Sequence, residues 1–169
     1  MAVDTPTYTG REATSQESSV VTTAFRFTSK DLDAMPQIEG VRYEIIDGEL
    51  YVSTAPHFHH QYAADEIRLA LRASPQLTAT GITATGPGMV LPNDENVIPD
   101  LIWISNERYA RALDAAGHLT LAPELVVEVL SPGSANEVRD REIKLDLYSR
   151  IGVDEYWICL LYTSDAADE

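Results

Sequence analysis

The sequence predicts an α/β fold, a mixed β-sheet flanked by helices, with an N-terminal β-hairpin. Three observations carry that expectation. Helix-like and strand-like patterns alternate along the chain, which favours a layered α/β architecture. The run Leu125–Leu130 is almost wholly apolar, as in a strand buried on both faces. Asp47-Gly48 separates two β-prone runs, Tyr43-Glu44-Ile45-Ile46 and Glu49-Leu50-Tyr51-Val52, and Asp-Gly in that setting signals a tight hairpin. The 169 residues suit one domain, and an apolar share of 44% supplies an ordinary globular core.

Residues 1–24 hold nine Ser and Thr and almost no periodic apolar residues, so they are expected to form a disordered leader. Thr28 with Asp31 reads as a capping box opening a short helix through Leu32 and Met35, stopped by Pro36. The hairpin follows. Residues 56–60 are expected to be a loop, and 61–73 a helix ending before Pro75, because Ala64, Ile67 and Leu71 recur at helical spacing. A strand is expected around 89–91, with a weaker one in the threonine-rich run before Gly86-Pro87-Gly88, then a turn over 93–96. Residues 98–104 read as a strand in which Pro99 is tolerated only near the start or on an edge. A helix over 107–116 closes at Gly117, and Ser131-Pro132-Gly133-Ser134 forms a loop in which the serines hydrogen-bond locally and cap the next helix. That helix spans 136–151, with Gly152 as its stop, and 154–161 is the last strand. The domain is expected to occupy residues 25–158. Residues 159–169 look like a non-native or disordered tail, since the chain switches there from strand into Thr163–Glu169 with no helix cap or partner strand.

With 12 basic and 27 acidic residues the net charge is −15, which excludes broad coating of nucleic acid through phosphate neutralisation. Metal ions and a few local arginines can still reverse the field at one cleft. The lone Cys159 excludes an intramolecular disulfide and a four-cysteine zinc site. No apolar run is long enough to span a membrane, and the N-terminus lacks the layout of a secretory signal, so a soluble, cytoplasmic protein is expected.

Charges inside apolar runs mark the candidate chemistry. Glu128 interrupts Leu125–Leu130, and a buried carboxylate costs several kcal/mol unless it is paired, metal-bound or protonated. The alternative is an edge position facing water. Asp100 leads into Leu101-Ile102-Trp103-Ile104. Two carboxylates on neighbouring strands make a hard oxygen site of the kind that holds Mg²⁺ or Mn²⁺, with water and substrate phosphate completing the shell. Lys144 falls on the apolar arc of its helix beside Ile143, Leu147 and Tyr148, so it either snorkels outward or points into a site between helix and sheet. Asp140, Lys144 and Tyr148 share one stripe. Asp, Glu and Lys converging on one pocket describe a metal-dependent phosphodiesterase. His57, His59 and His60 cluster before a helix without acidic support, which favours solvent exposure over metal binding, although His60 is placed to line a cleft.

Tyr43-Glu44-Ile45-Ile46-Asp47-Gly48-Glu49-Leu50, His60-Gln61, Pro99-Asp100, Glu128-Val129-Leu130-Ser131-Pro132-Gly133-Ser134, Lys144 with Tyr148, Gly152 and Glu155-Tyr156-Trp157 occur in an order that resembles the Uma-type restriction endonuclease family. That family belongs to the PD-(D/E)XK nuclease superfamily, and the resemblance covers residues 25–158. It implies a restriction-endonuclease-like core, Asp100 as the acid of the PD motif, Glu128 as the acid of the E-x-K motif and the Val129 carbonyl as a further metal ligand. The lysine position of E-x-K is Leu130, so the resemblance implies that Lys144 has taken over from the next helix, with Tyr148 supporting it. Glu44 matches an early family acid that adds to the metal shell, and as a residue it reads equally well as a solvated hairpin position. The expected function is a Mg²⁺- or Mn²⁺-dependent endonuclease cleaving DNA phosphodiesters, as a homodimer if both strands are cut. The alternatives are a non-catalytic binding protein on the same scaffold and a hydrolase of a small phosphate compound.

Overall fold

A computed structural model describes residues 25–130 and 137–161. The expected leader, the Ser131–Ser134 loop with its caps, and the tail from residue 162 onward lie outside the described residues. Helix α1, Ser29–Asp33, opens at Thr28, whose backbone N–H donates to Asp31 Oδ2 at 2.7 Å in the expected capping box. Strands β1 (Val41–Ile46) and β2 (Glu49–Thr54) form the hairpin, with Ile46 opposite Glu49. Asp47 and Gly48 have φ of 52° and 75°, the left-handed pair that a two-residue turn requires, which explains why Asp-Gly stands there.

Helix α2, Phe58–Ala73, starts three residues before the expected boundary, capped by the His57 ring, which accepts from the His59 N–H. Pro75, read in the sequence as a stop, also opens α3, Pro75–Thr80. Proline at a first helical position loses nothing, because that N–H has no partner within the helix. Strands β3 (Gly81–Thr85), β4 (Met89–Val90) and β5 (Asn96–Val97) follow, the last of them unpredicted. Strand β6 is Leu101–Ser105, so the expected strand over 98–104 begins later, after Pro99, and Asp100 sits just before it. Helix α4, Asn106–Ala112, is shorter than expected because Thr120 donates from both its N–H and its hydroxyl to the Ala112 carbonyl and ends the ladder there. Strand β7 is Leu125–Leu130. The long helix predicted next is already helical at Glu137 and Val138, passes through a π-helical turn, Arg139–Ile143, and continues as α5, Lys144–Ile151, ending at Gly152 with φ 84°. Strand β8, Glu155–Leu160, includes Cys159 and Leu160, which the boundary at residue 158 had left in the tail.

The strands form two four-stranded sheets, one of them the expected mixed sheet. In one, with order β2-β1-β5-β4, every pairing is antiparallel, so the hairpin belongs to a sheet of its own. The other, β3-β6-β7-β8, is mixed, because β7 and β8 run parallel. All six residues of β7 are buried between its neighbours. Its alternation divides the core. Val126 packs with Ile102, Leu147 and Tyr148 on the α5 side, while Leu125 and Val127 join Leu101 and Leu71 on the α2 side. Glu128 shares the parity of Val126 and is thereby aimed toward α5. Among the described residues no helix is long and apolar enough to cross a membrane.

Gly81 lies where β3 meets β6, and a Cβ there would approach the Ile104 carbonyl oxygen and the Trp103 ring at 2.5 Å. Gly81→Ala is expected to lower stability by about 1–3 kcal/mol through overpacking, read as a lower urea midpoint with an unchanged slope.

Candidate active site

Glu128 is the hub. Its Oε1 accepts from Lys144 Nζ at 2.8 Å and from the Tyr148 hydroxyl at 2.8 Å, and its Oε2 accepts from the Asp100 N–H at 3.4 Å. Asp100 Oδ2 in turn accepts from the Val129 N–H at 2.8 Å and lies 3.0 Å from His60 Nε2. Glu44, on β1, accepts at Oε1 from the Ile98 N–H at 2.9 Å and faces Lys144 Nζ at 3.1 Å. The start of β6, the middle of β7, the helix α5, the N-terminal turn of α2 and the hairpin thus each deliver a group to one place. Helical spacing puts Lys144 and Tyr148 on the same stripe of α5, so one carboxylate oxygen receives both donors.

The alternatives left open for these residues are now decided geometrically. Glu128 is not on an edge, because β7 lies between β6 and β8. Lys144 does not snorkel, being only 2% exposed, and Glu44 is buried rather than a solvated hairpin residue. Of the histidines, His57 and His59 are exposed while His60 is buried against Asp100. Arg139 and Asp140 were not expected at the site. Arg139 Nε donates to the buried Asp140 Oδ1 at 3.0 Å, and both border the same cavity as Lys144. The placement of Asp140 four residues before Lys144 was the available signal, whereas Arg139 falls on the polar side of that helix, opposite the arc of Lys144.

These groups surround a cavity of about 620 Å³ bordered by Glu44, His60, Asp100, Glu128, Arg139 and Lys144. Burial pushes the Glu128 carboxyl up to about 7; Lys144 opposes the rise, and the charges of Asp100 and Glu44 reinforce it. Burial alone would lower the Lys144 pKa, yet Glu128, Glu44 and Asp140 together raise it above the usual lysine value. Burial is the main cause of the rise at Glu128 and the surrounding carboxylates are the cause at Lys144, with Asp100 and Glu44 adding to the first. Burial would raise Asp100, but the His60 hydrogen bond and charge, the Val129 N–H and Lys144 together hold it below the usual carboxylate value. His60 is driven down by burial and more strongly up by Asp100 and Glu128, so it ends above its ordinary value. Burial and the neighbouring Glu128 keep Tyr148 a neutral phenol, and therefore a donor.

Among the described residues no three His, Cys, Asp or Glu side chains form a ready-made metal shell. A Mg²⁺ site does not need one, because that ion keeps several waters and commonly takes only one or two carboxylates plus substrate phosphate. Glu44 Oε2 and Asp100 Oδ1 make no hydrogen bond among the described residues, and the only bond to Glu128 Oε2 is the long one from Asp100. Carboxylate oxygens with spare capacity beside a cavity, with surplus negative charge, are the hard donor set that fits Mg²⁺ or Mn²⁺.

A mixed sheet between helices, with a carboxylate–lysine cluster at one cavity, defines a restriction-endonuclease-like protein. The chain belongs to the Uma2 family, whose model carries the description "Putative restriction endonuclease" and matches residues 29–164. Among solved structures it is similar to one titled as a "putative nuclease belonging to DUF820" from Anabaena variabilis, with a TM-score of 0.61 and 15% identity, covering 79% of this chain and 74% of that one. That likeness concerns the fold. No curated protein matches the chain.

A carboxyl raised from 4.5 to about 7 on folding contributes stability that is full below pH 4.5 and is lost as pH rises from there through 7. The urea midpoint of the protein without divalent cations is therefore expected to fall between pH 5 and pH 8, and Glu128→Gln is expected to flatten that decline. Lys144→Met leaves buried carboxylates without their counter-charge and is expected to cost about 3–5 kcal/mol at pH 8, less at pH 5 where Glu128 takes up a proton, measured by the same titration.

Proposed function

We propose that this protein is a divalent-metal-dependent endonuclease that hydrolyses DNA phosphodiester bonds. The observation that carries the reading is the charge imbalance at the cavity, where Glu44, Asp100 and Glu128 meet the single ammonium of Lys144. Asp100, Glu128 and the Val129 carbonyl would hold Mg²⁺ or Mn²⁺, with Glu44 as a further ligand. When bound, the ion supplies Lewis-acid polarisation of the phosphoryl group and a more acidic water.

The other roles belong to the chain itself. Lys144, held cationic by its carboxylate partners, orients the attacking water and offsets negative charge developing on the phosphate; its raised pKa suits it to electrostatic work rather than to accepting a proton. Tyr148 donates to Glu128 Oε1 and so restricts that carboxylate to one orientation. His60 does the same for Asp100. Membership of a family described as "Putative restriction endonuclease" supports DNA as the substrate, and cutting both strands in the cytoplasm would take two copies acting together. A second reading, hydrolysis of a small phosphate compound, is favoured by the net charge of −15, which repels long polyanions.

Agarose-gel assays with plasmid and single-stranded DNA in Mg²⁺ or Mn²⁺ separate these readings. Asp100→Asn and Glu128→Gln are each expected to slow cleavage by at least about a hundredfold, as loss of several kcal/mol of transition-state stabilisation implies, while circular dichroism stays native. Undiminished cleavage by Glu128→Gln overturns the mechanism.

A further inference from the structure

A protein this acidic must gain affinity for a polyanion from a few local cations, so the cations at the cavity are worth accounting for one by one. Three Lys and Arg side chains border it: Arg42, Arg139 and Lys144. Lys144 is spent on Glu128 and Glu44, and Arg139 on Asp140. Arg42 makes no ion pair or side-chain hydrogen bond among the described residues, although it is partly buried. It sits two residues before Glu44 on β1, opposite Ser53, so strand alternation directs both side chains to the same face, about 7 Å apart along the strand.

Arg42 also borders a second, smaller cavity of about 220 Å³ that shares Asp100 with the first. Gln61 and Thr85 supply neutral hydrogen-bonding groups there, and the one other acid on its rim, Asp65, already faces Arg68 at 3.2 Å. The two cavities thus meet at Asp100, with an uncommitted guanidinium beside the carboxylates but one pleat repeat away from them.

We propose that Arg42 binds the phosphodiester adjacent to the one that is cleaved, leading the DNA strand from the catalytic cavity into the smaller one. Guanidinium suits this task because its planar fork matches two phosphate oxygens at once. Two residues along β1 from Glu44, Arg42 is offset from the carboxylates by about 7 Å of strand, a spacing that suits a phosphate beside the scissile one. The inference rests on the reading of the site as a DNA nuclease.

The test is fluorescence anisotropy of a labelled 12-base-pair duplex, and of the matching single strand, titrated with protein in Ca²⁺ at several salt concentrations. Arg42→Gln is expected to weaken binding about tenfold or more at low salt and to reduce the slope of log affinity against log salt by about 0.9 for duplex or 0.7 for single strand, one phosphate's worth of released counterion. Arg42→Lys, which keeps the charge, is expected to preserve the slope while losing part of the affinity. Circular dichroism checks that both variants are folded, and the slope reports a charge contact that a merely structural role would leave unmoved. Wild-type binding with an unchanged slope in Arg42→Gln overturns the role of Arg42 and leaves the nuclease reading standing. Absence of polynucleotide binding by the wild-type protein overturns the nuclease reading and this inference with it.

Discussion

The ammonium of Lys144, caught between Glu128 at 2.8 Å and Glu44 at 3.1 Å, is the interaction on which the site depends. Burying these ions costs more than their mutual attraction returns unless the remaining lone pairs are also satisfied. The chain meets that condition with neighbours that have other work to do: Tyr148 fills the second place on Glu128 Oε1, the Asp100 N–H reaches Oε2, and the Ile98 N–H completes Glu44 Oε1. What remains unbalanced is charge. Replacing a buried ion pair by hydrophobic residues of similar volume is often neutral or stabilising, so three carboxylates set against one lysine argue for a requirement other than stability.

The fold assembles this cluster through two periodicities. Alternation along β7 sends Val126 and Glu128 to the α5 face while Val127 goes to the α2 face, so one strand serves the core on both sides and the site on one. The helical repeat of α5 then stacks Lys144 under Tyr148, with Leu147 beside them in the core. The π-helical turn before Lys144 lets its N–H bond to the Arg139 carbonyl, and the same turn brings the Arg139–Asp140 pair to the cavity edge. The hairpin contributes Glu44 only because its sheet packs against the other, which places β1 across from α5.

A lysine delivered from a helix, where the strand carries Leu130, changes how the group can act. Lys144 approaches Glu128 from across the helix–sheet interface, and two acids hold it cationic. Positioned charge is the contribution such a residue can make to phosphoryl chemistry, in which stabilising developing negative charge outweighs proton transfer by the lysine. The surrounding acidity makes Arg42, the cavity cation left unpaired among the described residues, correspondingly valuable.

Local chemistry was legible in the residues alone. The Asp47-Gly48 turn, the Thr28 capping box, the apolar strand Leu125–Leu130 and the stop at Gly152 each follow from interactions within a few positions of the chain, which is why most strands and helices, though not β5, could be read in order. The suspicion attached to Asp100, Glu128 and Lys144 came from the same source, since charge inside an apolar pattern is visible without coordinates. Helix α3 escaped because Pro75 can stop one helix or start another, and the early start of α2 because an imidazole cap such as His57 is not among the usual N-cap side chains. The division into two sheets, the burial of Glu44, the Asp100–His60 contact and the Arg139–Asp140 pair depended on tertiary structure. The first three join residues tens of positions apart, and which faces meet is decided by how the whole core excludes water; in the last, adjacent residues are paired at the cavity by a turn whose place only the packed helix determines.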